Sequence, residues 1–198
     1  MLKDLKPVVI GGKEVHPIIE GGKGVGVSNG TSSGYFAAND AVGTFSGANA
    51  VSHDENGDPI VSVYRGTTRK ARHEELVEMG IEGAVYQARK AYDISGGKGR
   101  IHINILWEMG GAERILQGAL EKCQGIIHGV TCGAGMPYRL AEIASRYKVH
   151  YYPIISSMRA FRALWKRSYN KYSEFLGGVV YEDPWKAGGH NGLSNDED

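Results

Sequence analysis

Arg100-Ile101-His102-Ile103-Asn104-Ile105-Leu106 is the stretch on which the fold turns. Apolar residues alternate with polar ones at a period of two, which is the pattern of a strand, and the turn Ser95-Gly96-Gly97-Lys98-Gly99 runs straight into it. Along such a strand His102 and Asn104 share one face. Residues 113–122 follow, with Ile115, Leu116, Ala119 and Leu120 on one side of a helix. The two together make a strand-then-helix unit.

The same unit recurs in both directions. Toward the carboxyl end, Gly125-Ile126-Ile127-His128-Gly129-Val130 precedes a helix over 138–147, and residues 150–156 precede one over 157–172. A last strand, Phe175-Leu176-Gly177-Gly178-Val179-Val180-Tyr181, then empties into residues 182–192. Toward the amino end, residues 69–90 have a helical register weakened by Gly80 and Gly83, and read as one helix or two short ones. Ala41-Val42-Gly43-Thr44-Phe45-Ser46 is a strand. His16-Pro17-Ile18-Ile19-Glu20 is another, leading through the glycine loop 21–28 into a helix over 32–38. Before it, Val8-Val9-Ile10 and the run after Gly11-Gly12 predict a hairpin capping one end of the fold. Residues 47–64 are polar and read as a surface-loop insertion.

About six strand-then-helix units of about 30 residues specify a parallel α/β sheet with its faces covered. A doubly wound sheet is one solution. The (β/α)8 barrel of the TIM type fits better, because a functional-looking loop after every strand would then meet the others at one face. Such a barrel takes about 250 residues. With 198, the expectation is a single, partial barrel domain over 1–198, truncated after about six units.

Totals exclude several functions. Lys and Arg number 23 against 22 acidic residues, so the net charge of +1 supplies no field for nucleic acid or an anionic membrane. No run approaches the roughly 20 apolar residues of a membrane span, and the first residues lack the apolar core of a signal peptide. Cys123 and Cys132 form no Cys-x-x-Cys pair, and both read as reduced thiols of a cytoplasmic protein. The 29 glycines are spread through loops, implying tight turns and close backbone approaches.

Five places invite a functional reading. Gly22-Lys23-Gly24-Val25-Gly26 is neither a Walker loop nor a Gly-x-Gly-x-x-Gly fingerprint; it is a tight turn, or bare backbone that lets a flat ring approach the strand end. Asn104 needs a partner inside a barrel, from the core or from a ligand. Cys132 could be a nucleophile, but with no base paired to it in sequence the preferred reading is a small residue lining a pocket. The acidic cluster over 53–58 lacks EF-hand spacing, which disfavours calcium. The basic helix over 157–172 reads as a solvated face.

The pieces Pro17-Ile18-Ile19-Glu20-Gly21-Gly22-Lys23-Gly24-Val25-Gly26-Val27-Ser28-Asn29, Ile103-Asn104-Ile105, Gly133-Ala134-Gly135-Met136-Pro137 and Ala187-Gly188-Gly189-His190-Asn191-Gly192, in this order, resemble the nitronate monooxygenase family, formerly called 2-nitropropane dioxygenases. The resemblance covers nearly all of the chain after residue 15, and Ala-Gly-Gly-His is its most specific element. It implies an FMN-dependent TIM barrel that oxidises alkyl nitronates with O2 to a carbonyl compound and nitrite. Related members are NAD(P)H-dependent enoyl reductases. By position, Gly21, Gly22 and Lys23 pass the flavin, Asn104 is its strand-three ligand, Asp183 stands where many members have a flavin-contacting glutamine, and Gly188 and Gly189 lie beside the ring. His190 matches the histidine over the substrate, acting as base or as donor to its anion, and no metal is implied.

Lys23 replaces the family's usual methionine, and Lys186 stands where many members have glutamate. Strands seven and eight, which carry the FMN phosphate in the family, fall outside the 198 residues. The expected partners are therefore a small nitronate-like anion and O2. The chain would act as a homo-oligomer, with the missing carboxyl-terminal portion, or as an inactive truncated barrel that needs a partner.

Overall fold

The structure is a computed structural model that describes residues 5–24, 26–54, 56 and 58–187. It opens on the antiparallel pair β1 (Val8–Ile10) and β2 (Lys13–Val15). The connecting Gly11 and Gly12 have φ of 56° and 75°, two consecutive left-handed residues as a type I′ hairpin requires. Then come α1 (Gly30–Ala38), β3 (Val42–Ser46), α2 (Arg69–Ser95), β4 (Arg100–Leu106), α3 (Ala112–Lys122), β5 (Gly129–Gly133), α4 (Leu140–Arg146), β6 (His150–Ile155), α5 (Met158–Arg167), a 3-10 helix (Tyr169–Phe175) and β7 (Val180–Tyr181).

Among the described residues five strands pair in parallel and in chain order, β3-β4-β5-β6-β7. The expected strand over 16–20 is reduced to a single parallel bridge, Ile19 to Val42, closed by Val42 N–H to Ile18 O at 3.0 Å and Glu20 N–H to Val42 O at 2.8 Å. It adds a sixth, minimal strand beside β3. The order is that of consecutive units of a (β/α)8 barrel, and α/β of that type is the fold class observed. The hairpin caps the amino-terminal end: Arg100, first in β4, donates from Nε to Ile10 O at 3.1 Å and from Nη2 to Gly11 O at 2.6 Å.

Register sorts the side chains into two faces. Thr44, His102 and Gly129 stand at one level and Ser46, Asn104, Thr131 and Tyr152 at the next. These point to the inner face. Their neighbours in sequence, Phe45, Ile101, Ile103, Ile105, Val130, Cys132 and Tyr151, point outward and are fully buried against Ile115, Leu116, Leu120, Leu140 and Ile143 of the helical layer. The hydrophobic core is thus the layer between sheet and helices. The concave side is polar.

Packing also explains two glycines that weaken α2 as a sequence. A Cβ on Gly83 would overlap the Ala50 carbonyl oxygen, and one on Gly80 would come within 2.8 Å of Ile115 Cδ1. α2 is therefore one unbroken helix of 27 residues that places both glycines at close contacts. α1 begins at Gly30, two residues before the expected start, because Asn29 caps it. Its Oδ1 accepts from the Thr31 and Ser32 N–H groups while Ser32 Oγ accepts from Asn29 N–H.

Between β3 and α2 the described residues form no strand or helix, only a bridge between His53 and Pro59. Asp54 Oδ1 accepts from the N–H groups of Asn56 and Asp58, so this carboxylate shapes a turn. On α5, Arg159, Arg162 and Lys166 are exposed, while Arg167 lies over the Tyr138 ring at 5.0 Å and donates to its hydroxyl.

Candidate functional site at the carboxyl ends of the strands

The glycine loop closes on itself before it reaches α1. Ser28 Oγ accepts from Lys23 N–H at 2.8 Å, Ser28 N–H donates to Lys23 O at 3.2 Å, and Ser46 N–H at the end of β3 donates to Ser28 O at 2.9 Å. This pins the loop to the carboxyl end of the sheet. Lys23 itself is exposed, and the loop uses its backbone. Glu20, just before the loop, is buried; its Oε2 accepts from Ser33 Oγ at 2.9 Å and from Thr44 N–H at 3.0 Å, tying α1 to β3.

Gly22 meets Asn104. A Cβ built on Gly22 would overlap Cβ and Cγ of Asn104, so the loop backbone lies directly on that side chain. Asn104 is only 4% exposed, and its Oδ1 accepts from Thr131 Oγ1 at 2.8 Å. Its amide nitrogen makes no hydrogen bond among the described residues. The structure thus brings two of the sequence-derived positions, Gly22 and Asn104, into contact and adds Thr131. Gly21 is exposed, with nothing within 4 Å of where a Cβ would stand.

Asp183 lies just beyond β7, at the same end of the sheet, with β5 and β6 between it and Asn104. Its Oδ1 accepts from Trp185 N–H at 3.1 Å and its Oδ2 pairs with Lys186 Nζ at 3.7 Å, so it organises the turn after the strand. No hydrogen bond joins it to Gly22 or Asn104. Gly188, Gly189 and His190 lie outside the described residues.

Below Asn104 the inner face holds a polar layer whose members beyond His102 alternation along one strand does not reveal. His102 is 1% exposed and stacked on Tyr152, with ring centroids 4.8 Å apart. Neither of its nitrogens has a hydrogen-bond partner among the described residues, nor do Thr44 Oγ1 and the Tyr152 hydroxyl. Burial, with His128, His150 and Arg100 adding repulsion, lowers the His102 pKa to about 3, so the imidazole is neutral. Burial raises the Tyr152 hydroxyl to about 12.

Cys132 is a correction to the sequence reading. Register turns its side chain outward, away from the concave side, where it is fully buried. Desolvation pushes its thiol well above the usual range, opposite to what a nucleophile needs. Thr131, its neighbour, is the residue that faces inward. A signal for it exists in the chain, since a residue two positions after an inward Gly129 on a strand shares its face.

Size does not mark the site. A cavity of about 610 Å³ lies along α2 near Tyr86, Arg89 and Lys122 of the helical layer. A smaller one, of about 210 Å³, opens beside the glycine loop between Ser28, Ser46 and His53. Among the described residues no helix is long and apolar enough to cross a membrane, and no group of three His, Cys, Asp or Glu residues is placed to hold a metal ion.

No protein-family model and no curated protein matches the sequence. Among solved structures the chain is similar to FabK from Thermotoga maritima, with a TM-score of 0.51 and 16% identity over 84% of this chain and 40% of that one. The likeness is one of fold. The chain spans about 40% of that protein's length. A weaker likeness, to the catalytic domain of a beta-amylase from Paenibacillus polymyxa, has a TM-score of 0.40 at 11% identity over 64% of this chain and 38% of that one, and carries no argument.

Proposed function

We propose that this chain belongs to an FMN-dependent oxidoreductase of the nitronate monooxygenase kind, taking an alkyl nitronate and O2 to a carbonyl compound and nitrite. The observation that carries the reading is the contact of Gly22 with Asn104 at the carboxyl end of a parallel sheet. Bare loop backbone lies there against a buried amide whose nitrogen is free to donate, which is what the edge of a flat heterocycle needs. The family resemblance of the surrounding motifs supplies the identity of that heterocycle.

When bound, FMN would supply the electron acceptor for the anionic substrate. The protein's own part is to hold the ring edge through Asn104, to keep the glycine backbone close, and to exclude bulk water from the polar concave side. On sequence grounds His190 is the group that meets the nitronate, because an imidazole with an ordinary pKa near 6.5 serves either as base or as donor to an anion. The same contact serves an NAD(P)H-dependent enoyl reductase-like flavoprotein, so substrate must be decided by reaction.

The test is titration of the purified protein with FMN, followed by anaerobic addition of a nitronate or of NADPH. Tight uptake of FMN and bleaching of the flavin by the nitronate are expected. Bleaching by NADPH alone moves the assignment to the reductase, and a protein that takes up no FMN overturns the flavin reading.

A further inference from the structure

Resting on the flavin reading, we propose that Thr131 is a positioning residue that locks the Asn104 amide as a hydrogen-bond donor, so that the ligand edge meeting Asn104 is an acceptor edge. Thr131 and Asn104 are register partners on adjacent strands, both buried on the inner face. A threonine hydroxyl has one proton to give. Two acceptors compete for it: Asn104 Oδ1 at 2.8 Å and Ile103 O at 3.5 Å. The shorter contact takes the proton, which fixes the Asn104 oxygen toward Thr131 and leaves both amide N–H groups free.

Gly22 provides the second restraint. The position of its absent Cβ is 2.8 Å from Asn104 Nδ2, so the amide is held between loop backbone on one side and a β-branched side chain with few rotamers on the other. Turning the amide over would set Nδ2 against Thr131 and force the hydroxyl proton onto the longer contact. A free donor in a nearly buried site selects a carbonyl oxygen or an unprotonated ring nitrogen. On a flavin it disfavours the edge that presents a ring N–H.

Three variants separate this from a merely structural role. Thr131→Val keeps the shape and removes the hydroxyl, and should weaken FMN binding about three- to tenfold, the cost of one hydrogen bond. Thr131→Ser should restore binding to within about twofold and recover the visible spectrum of the bound flavin, a readout that packing alone would not move. Asn104→Asp keeps the Thr131 bond and replaces the donor by an acceptor; it should cost at least about tenfold.

Wild-type affinity in Thr131→Val, or undiminished binding in Asn104→Asp, overturns the proposal. NMR of the ligand-free protein gives an independent decision. The Asn104 side-chain NH2 should show no strong Overhauser contact to Thr131; a strong contact means that the amide is turned the other way and the inference is wrong. If wild-type protein takes up no FMN, the flavin reading alone is lost, and the NMR result still decides the orientation of Asn104.

Discussion

Gly22 is a glycine because of Asn104. Its φ is not positive, so backbone conformation does not demand glycine there; the side chain beneath it does. Gly22→Ala should therefore displace the Asn104 amide, costing about 1–3 kcal/mol of stability by overpacking. FMN affinity should fall in the same variant, while Gly21→Ala, with nothing within 4 Å of where its Cβ would stand, leaves stability unchanged. Chemical denaturation and flavin titration measure the two effects, and an unaltered Gly22→Ala protein removes the contact from the site. His102 makes the complementary prediction. Its pKa is about 3 in the folded chain against an ordinary 6.5, so below 6.5 the unfolded chain binds a proton that the folded one refuses. Stability is then present above pH 6.5 and lost as pH falls toward 3, by up to about 1.4 kcal/mol per unit. His128, lowered to about 4 chiefly by burial, acts in the same direction. His102→Phe removes one of these groups together with two unpartnered nitrogens, so its melting temperature should rise at neutral pH and depend less on acid; a profile parallel to wild type would contradict the neutral, buried imidazole.

At the scale of elements, local chemistry and tertiary packing pull α2 in opposite directions. Alanine at position 83 would improve helix propensity by about 1 kcal/mol. Its Cβ would also overlap the Ala50 carbonyl, a backbone atom that cannot swing away as a side chain can. Packing should win, and Gly83→Ala should destabilise the protein by about 1–3 kcal/mol in urea or guanidinium unfolding. A stabilised variant would mean that α2 and the residues after β3 are not in this contact. Asn29→Ala should cost about 1 kcal/mol through loss of the α1 cap. The two cases show what is legible in the chain. The strand over 100–106 is readable to the residue, because a period of two can have only one cause there, and so is the inward placement of His102 and Asn104. The start of α1 escapes a reading by apolar period alone, although Asn29 and Ser32 carry the capping pattern. Gly80 and Gly83 can be read only as defects, because their reason lies in Ala50 and Ile115, distant in sequence.

At the scale of the molecule, the βα repeat specifies the parallel sheet and its order, while the partners of its inner face are out of reach. Nothing local to Thr131 announces Asn104, and nothing local to Glu20 announces Ser33 and Thr44; the first pair exists only once β4 and β5 are in register, and the second only once residues 16–20 and α1 pack on β3. The same register predicts how the sheet opens. β4 and β5 are hydrogen-bonded on both sides and buried, whereas β7 is a two-residue strand paired, among the described residues, only with β6, with Tyr181 61% and the following Trp185 74% exposed. Local opening follows burial and pairing. Amide hydrogen exchange should therefore be slowest in residues 101–105 and 130–132 and fast at β7 and at the single bridge of Ile19. Addition of FMN should then slow exchange in the loop 21–28, whose backbone is already tied to Ser46, and around residues 104 and 131, while leaving α5 untouched. Binding at the carboxyl ends of the strands can protect only what it covers or orders. Slowing confined to α2 beside the larger cavity, with none in the glycine loop, would put the ligand in the helical layer and dissociate Gly22, Asn104 and Thr131 from flavin.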